Sequence, residues 1–402
     1  MLYLKKSFKH IYSITIISIL MAACVTPYYP NITKYENLLV VDGQITNLKG
    51  PYIVKLARTA KVTGGKVAVG ATGDQNENQV TGAQIKIIDN TGLEVLLKEI
   101  SNGVYSTVDT LFLGVSGKSY KLQIKVNNEV YESDFEILKE SIPIDNVYWE
   151  YKPTDIDGPK RIQLLLDTHD PANNTRYYGW DFNETWKFKV PIDVVSNPEW
   201  KICYQNASNF LKVGTTINRY NDIIERYSLQ TINESTNRLF IRYSLLATQY
   251  SFTEKTYKYF EGIIKSNLNQ GTLFDPTPYS LYGNIKSLSD KNIPVVGYFM
   301  VAGASEKRIF IDRSELPKEY YPTDGFGDCS TYVIKVPKTL ENFRWNHQID
   351  SLMYEGYSIF EQLSIWLDPA TPGWQLSLAK TRCYNCLTTG DNKVPAFWTE
   401  KK

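Results

Sequence analysis

Five cysteines carry the plainest covalent chemistry in this chain, and their positions set one apart from the other four. Cys24 stands directly behind Ala22 and Ala23, at the end of an apolar run from Ile11 to Met21 that follows Lys5 and Lys6. A basic start, an apolar stretch, small residues and then a cysteine is the order of a secretory signal. The stretch is too short to cross a bilayer as a helix. A thiol in that place is either a candidate for acylation or the incidental cysteine of an ordinary signal peptide. Acylation is preferred, and each buried CH₂ of an acyl chain would add about 0.8 kcal/mol of membrane affinity. The sequence therefore predicts a signal peptide over 1–23, lipidation at Cys24 and a proline-bearing tether over 24–35.

Without Cys24 an even set remains: Cys203, Cys329, Cys383 and Cys386. In an oxidising compartment they read as two disulfides. Three connectivities are open, and the one favoured is Cys383–Cys386 with Cys203–Cys329. The Cys383-Tyr384-Asn385-Cys386 spacing also fits a redox pair, but that chemistry wants a cysteine at a helix N-terminus. The surrounding tail is polar and carries glycine and proline, so the redox reading is weak. A structural zinc site would need further ligands, the nearest histidine being His347.

Only His169 and His347 lie beyond Cys24, which leaves little for histidine-based catalysis. Asp167, His169 and Asp170 cluster at a strand end and could hold a cation or form an acid–base pair. A turn opened by Asp170-Pro171 accounts for the same residues and is preferred. No nucleophile elbow, zinc-protease helix or calcium loop is present. A non-enzymatic role is favoured, with no catalytic, metal or cofactor residue implied.

Tyrosine, at 29 residues, is the unusual component. Alternation places Tyr178, Trp180 and Trp186 on one face with Phe182 and Phe188, a pattern that suits a core. Tyr257, Tyr259, Tyr320 and Tyr321 are the ligand-contact candidates, able to stack on a sugar or peptide.

The elements that would position these groups are mostly strands. Period-two segments separated by turns fill 36–140: Leu39 to Thr46, Pro51 to Thr59, Ala83 to Ile88, Leu93 to Ile100, Tyr120 to Val126 and Val130 to Leu138. They predict a β-sandwich, with a loop over Gly64 to Asn78. Ser141 to Ile144 reads as a linker. A larger β-rich domain over 145–402 follows, with strands such as Arg161 to Thr168, Tyr177 to Val190, Leu239 to Tyr250 and Ile293 to Val301. Its clearest helix opens with Ser251 and Glu254 as a capping box and ends at Gly271. A second helix is predicted around Asp350 to Glu361, weakened by Gly356. The fold class is thus mainly β, with one or two packed helices.

Val41-Asp42-Gly43-Gln44-Ile45, Gly82-Ala83-Gln84-Ile85 and Asn102-Gly103-Val104-Tyr105 resemble the carboxypeptidase-regulatory-like, Ig/transthyretin-like β-sandwich. A wider set resembles the Bacteroidetes lipoproteins catalogued as domain of unknown function 4249. It comprises Asp170-Pro171-x-Asn173-x-Thr175-x-Tyr177-Tyr178-x-Trp180, Gly283-Asn284-Ile285, Val296-Gly297-Tyr298-Phe299, Lys307-Arg308-Ile309-Phe310-Ile311, and the tail from Cys383 to Pro395-Ala396-Phe397-Trp398. The residues ahead of Cys24 are similar to the lipobox of such proteins. The resemblance implies an outer-membrane lipoprotein beside a TonB-dependent transporter, with an accessory or capture role in nutrient uptake, and brings no catalytic residue.

Forty-four lysines and arginines against 43 aspartates and glutamates give a net charge of +1, which offers no footprint for nucleic acid. The expected partners are the outer membrane, through acyl chains on Cys24, and a TonB-dependent transporter barrel. Val25-Thr26-Pro27-Tyr28-Tyr29 carries no acidic residue, so the surface and periplasmic faces both stay open. An envelope hydrolase acting on a polymer, and a structural lipoprotein making only protein contacts, are the alternatives.

Overall fold

A computed structural model describes residues 37–400, apart from 60–61, 64–65, 68–77, 110, 154–157, 210, 269–282, 339–346 and 369–370. The expected signal peptide and tether, Cys24, most of the expected Gly64 to Asn78 loop and Gly271 lie outside the described residues.

The first region lays down β1 (Leu39–Ile45), β2 (Ile53–Arg58), the short β3 (Val62–Thr63) and β4 (Lys66–Val67), β5 (Gln84–Asp89), β6 (Glu94–Ser101), β7 (Val104–Thr107), β8 (Ser119–Val126), β9 (Glu129–Ser133) and β10 (Glu136–Ile137). It continues through β11 (Ile144–Lys152), β12 (Arg161–His169), β13 (Tyr177–Lys189), β14 (Ile202–Ser208), β15 (Lys212–Thr215), β16 (Ile223–Asn233) and β17 (Arg242–Ser251). Helix α1 (Glu254–Leu268) precedes β18 (Ile285–Ser287), β19 (Val296–Val301), β20 (Gly303–Asp312) and β21 (Tyr332–Pro337). Helix α2 (His347–Tyr354), β22 (Tyr357–Asp368) and β23 (Thr371–Lys380) complete the order.

Alternation makes these strands. In β8, Tyr120, Leu122, Ile124 and Val126 are buried while the residues between them face outward. The first sheet has ten strands in the order β18-β9-β8-β5-β6-β7-β2-β1-β19, with β10 paired to β8. Its ends belong to the second region, so the sheet is not confined to 36–140. β19 runs parallel to β1, with Val40 opposite Val296 and Ile45 opposite Val301. The two ends also meet. Phe299 N donates to Asn284 Oδ1 at 2.9 Å, and Asn284 Nδ2 donates to Phe299 O at 2.8 Å. A side-chain amide thus stands in for a strand partner and rolls the sheet closed, which removes exposed edges. Gly297 makes the close approach feasible: its φ is +105°, and a Cβ there would overlap the Val41 carbonyl oxygen.

The next layer pair is a sandwich. A three-stranded sheet, β11-β12-β16, faces a five-stranded one, β14-β13-β17-β20 with β15 on β13. Their shared core holds Val147, Ile162, Leu164 and Leu166 against Tyr178, Trp180, Phe182, Trp186, Phe188 and Leu245. The expected aromatic face of β13 is therefore core. Ile142 and Ile144 of the expected linker are buried in the same cluster. Ile142 O accepts from Gln249 Nε2 at 2.9 Å and Ser305 Oγ at 2.6 Å, so this crossing is packed and not a free hinge.

A smaller sheet, β21-β23-β22, packs on α2 through Ile334, Leu376, Leu378, Ile349 and Leu352. α2 stops at Tyr354, short of the expected Glu361, because Gly356 at φ +86° ends it and the chain from Tyr357 pairs in β22. Helix α1 has a different cap from the one expected. Ser251 stays in β17, opposite Tyr178 and Gly303, and Thr253 takes its place. Thr256 N donates to Thr253 Oγ1 at 3.2 Å. The ladder wins because Phe252 N still donates to Tyr177 O at 2.9 Å. Among the described residues no helix is long and apolar enough to cross a membrane.

Candidate functional site: an aromatic cleft between the sandwiches

Where the rolled sheet, the sandwich and α1 come together they enclose a cleft of about 330 Å³. The outward face of β1 contributes Val40, Asp42 and Gln44, and its parallel partner β19 contributes Tyr298 and Met300. Period two makes this a second face of β1: Leu39, Val41 and Ile45 point the other way, into the first core. The outer face of the five-stranded sheet supplies Asp181 and Tyr250, and α1 supplies Tyr259, Phe260 and Ile263. Tyr259 lies over Tyr298 with ring centroids 4.5 Å apart, and Phe260 is 5.8 Å from the same ring. A larger groove of about 660 Å³ adjoins across Asp42, but Val40, Lys55, Ala57, Gln79, Ser101 and Asn102 give it no aromatic wall. The smaller cleft has the chemistry a ligand site needs: apolar walls and a few converging polar groups.

Its electrostatics are one-sided. Lysine and arginine are absent from the lining among the described residues. Asp42 is exposed to the cleft and is in no ion pair among the described residues. Asp181 accepts from the Tyr250 hydroxyl at 2.8 Å, a neutral donor, while the neighbouring Thr248 hydroxyl donates to Glu306 at 3.5 Å. Burial pushes the Asp181 carboxyl above the ordinary aspartate range, and Glu306 adds to that. Burial with the Asp42 charge beside it pushes the Tyr259 hydroxyl up to about 12, while Tyr250 and Tyr298 are raised by burial first and carboxylates second.

An uncompensated, partly buried carboxylate costs folding free energy. An acid whose folded pKa exceeds its unfolded value, about 3.9 for aspartate, contributes stability below the unfolded value and loses it as pH rises through the folded one. Asp181→Asn keeps an acceptor for Tyr250 and removes the charge. It is expected to raise stability by about 1 kcal/mol at pH 7, of the size seen when functional strain is relieved. That advantage shrinks as pH falls toward 4. Thermal melts of both proteins across this range check it; a variant less stable at pH 7 contradicts the assignment.

The four tyrosine candidates part company. Tyr259 lines the cleft. Tyr257 is buried between helix and sheet, 5.1 Å from the Tyr177 ring, and its hydroxyl donates to Glu261 at 3.0 Å. Tyr320 is wholly buried in the sandwich core, so it is not a surface contact. Tyr321, the next residue, points out at 62% exposure beneath Lys160 and Arg313.

Asp167, His169 and Asp170 do not converge. Asp167 accepts from Arg226 N at 2.7 Å, and His169 Nδ1 contacts Asp145 Oδ2 at 2.7 Å. Asp170 is buried, accepting from the backbone of Ala172, Asn174 and Thr175 at 2.8–2.9 Å. Asn173, at φ +55°, accepts from Asp222 N at 2.7 Å, and the Tyr178 hydroxyl donates to Asp222 at 2.7 Å. The Asp-Pro-x-Asn-x-Thr-x-Tyr-Tyr motif is a structural knot tying β12, β13 and β16.

The expected cystine pairing is overturned. The bonds are Cys203–Cys386 and Cys329–Cys383. Cys383 and Cys386 end and begin separate 3₁₀ turns, Thr381–Cys383 and Cys386–Thr388, and each reaches a different element.

Asp42, Gln44, Asp181, Tyr250 and Tyr298 escaped the sequence reading as site residues. Asp42 alone left a trace, as the single charge in an apolar strand.

No curated protein matches the chain. Residues 25–308 match the family described as Domain of unknown function (DUF4249). That span holds the structural knot, the Gly283-Asn284 closure and the Gly297 approach, and it includes every cleft residue. The tail motif from Cys383 to Trp398 falls beyond it. The match covers well over half of the sequence, and the chain belongs to the DUF4249 family.

Proposed function

We propose that this protein is a lipid-anchored accessory component of the outer membrane that serves a TonB-dependent transporter, docking on its barrel and holding a small ligand in the inter-sandwich cleft. The observation carrying the reading is the cleft itself, walled by β1, β19, β13, β17 and α1 and lined by Tyr250, Tyr259, Phe260 and Tyr298. Stiff amphipathic rings offer contact area with little entropy to lose on binding. The signal-like segment ahead of Cys24 supports the anchor. Cys24→Ala is expected to abolish incorporation of labelled fatty acid and to move the protein from the membrane to the soluble fraction. A variant that stays in the membrane fraction contradicts the anchor. Mild detergent extraction of the native protein is expected to bring a transporter with it, and repeated recovery of the protein alone contradicts the docking.

One observation favours a second reading. Asp42 and Asp181 line the same cleft, and a carboxyl with a raised pKa is what acid-assisted cleavage of a polymer uses. Release of products from envelope polysaccharide, lost in both Asp42→Asn and Asp181→Asn, would establish hydrolysis in place of capture.

A further inference from the structure

We propose that the cleft selects a compact organic cation, an ammonium group carried on an apolar or aromatic body. The inference rests on the cleft being the binding site and adds the charge of what it binds.

The chain's treatment of its other buried carboxylates is the starting point. Asp89 accepts from Lys118 Nζ at 2.7 Å, Glu184 from Arg238 Nη1 at 3.1 Å, and Glu136 lies 3.2 Å from Lys255 Nζ. These three are matched with a cation. Asp170 and Asp222, buried as deeply, are held by backbone amides and by the Tyr178 and Thr216 hydroxyls, and neither lines the cleft. Asp181 is given the Tyr250 hydroxyl and no cation among the described residues, and it faces a cleft. Asp42 stands on the same lining with no ion pair among the described residues, and Glu306 adds negative potential behind Asp181. Lys55 is opposite Asp42 on β2 but lines the adjoining groove and forms no ion pair with it among the described residues. The missing positive charge is thus left for a ligand to bring.

The walls fit the rest of such a molecule. Tyr250, Tyr259, Phe260 and Tyr298 offer ring surfaces that attract cations and accommodate apolar bodies. Leu211, Ile263 and Met300 close the apolar side, and Gln44 adds one neutral hydrogen-bonding group. An anionic ligand would meet two carboxylates with no compensating donor cation. A neutral sugar would find stacking surface but leave Asp181 uncompensated.

The test uses the detergent-solubilised full chain and matched probes of equal shape: phenethylamine against 2-phenylethanol, and choline against 3,3-dimethylbutan-1-ol. Titration calorimetry should show each cation binding about tenfold more tightly than its neutral partner, the size of one good charge contact in a partly dry site. Asp42→Asn is solvent-facing and Asp181→Asn relieves a buried charge, so both variants fold. The double variant should lose the charge preference. Equal affinity for cation and neutral partner, a preference that survives in the double variant, glucose binding ahead of both cations, or no cation binding at millimolar concentration would each overturn the proposal. Recovery of a transporter from the same preparations is scored separately. Cation selectivity without a transporter sinks the docking and leaves this inference, whereas a transporter without selectivity sinks this inference alone.

Discussion

Replacing Cys203 and Cys386 together by alanine is expected to cost about 3–5 kcal/mol of stability, the range for a cross-link closing a very long loop. The bond spans 183 residues and joins β14 to the turn after β23. The second bond, Cys329–Cys383, spans 54 residues and lies inside the first. It closes the ends of the small β21-β23-β22 unit with α2, and the outer bond then fastens that unit to the sandwich. Tyr204 and Asp391 reinforce the junction with backbone bonds of 2.7 and 3.0 Å. Trp398 packs on Tyr204 and Phe310 at centroid distances of 5.0 and 5.6 Å. Loss of the outer bond should therefore raise amide exchange in residues 371–398 far more than in β5 or β8, where protection is set by another core. Uniform loss of protection through both cores, or none anywhere, contradicts this picture of a stapled unit.

Glu184→Ala should be nearly as damaging, at about 3 kcal/mol, because it removes the buried half of an ion pair with partly exposed Arg238 and strands the other donors gathered on it. Glu184 sits on the inward face of β13 between Phe182 and Trp186 and is fully buried. Its carboxylate accepts from the Tyr243 hydroxyl at 2.6 Å, Arg238 at 3.1 Å and Asn209 at 3.1 Å, with Gln230 at 3.4 Å. Removing it strands the Arg238 guanidinium, held 5.2 Å from the Trp186 ring, and the Tyr243 hydroxyl. Glu184→Gln retains an acceptor for Tyr243 and should cost about half as much, since neutral hydrogen bonds contribute less than charged ones. Urea midpoints of the three proteins give the ranking. An alanine variant within about 1 kcal/mol of the native chain would mean that the network contributes nothing.

How far the sequence carried can be judged element by element. β8 and β13 were legible because each has a strict period of two, and α1 because its apolar stripe is long. The start of α1 was misjudged because Ser251 and Thr253 both suit a cap. Only the pairing of β17 with β13 and β20 decides that Ser251 stays extended. β23 escaped because Pro372 and Gly373 read locally as breakers, yet Gly373 pairs with both Pro337 and Ile365. The cleft was least legible. It depends on β1 meeting β19 across more than 250 residues of chain, and no local pattern encodes a parallel partner that distant. Cystine pairing failed for the same reason. Tyr259 was found as an aromatic on a helix face, while its partner Tyr298 lay in a strand that looked ordinary.

The central claim is that ligand binds between the sandwiches, and the chain carries a natural reporter. Of its four methionines, Met300 lines the cleft and Met353 is an exposed residue on α2. With the methionine methyl groups labelled in ¹³C, the full-length protein in detergent gives resonances that can be followed as phenethylamine is added. The Met300 signal should move saturably, the Met353 signal should not, and the movement should need about tenfold more phenethylamine in the Asp42→Asn/Asp181→Asn double variant. A shift at Met353 with Met300 unmoved, or a Met300 titration unchanged in the double variant, would contradict the account.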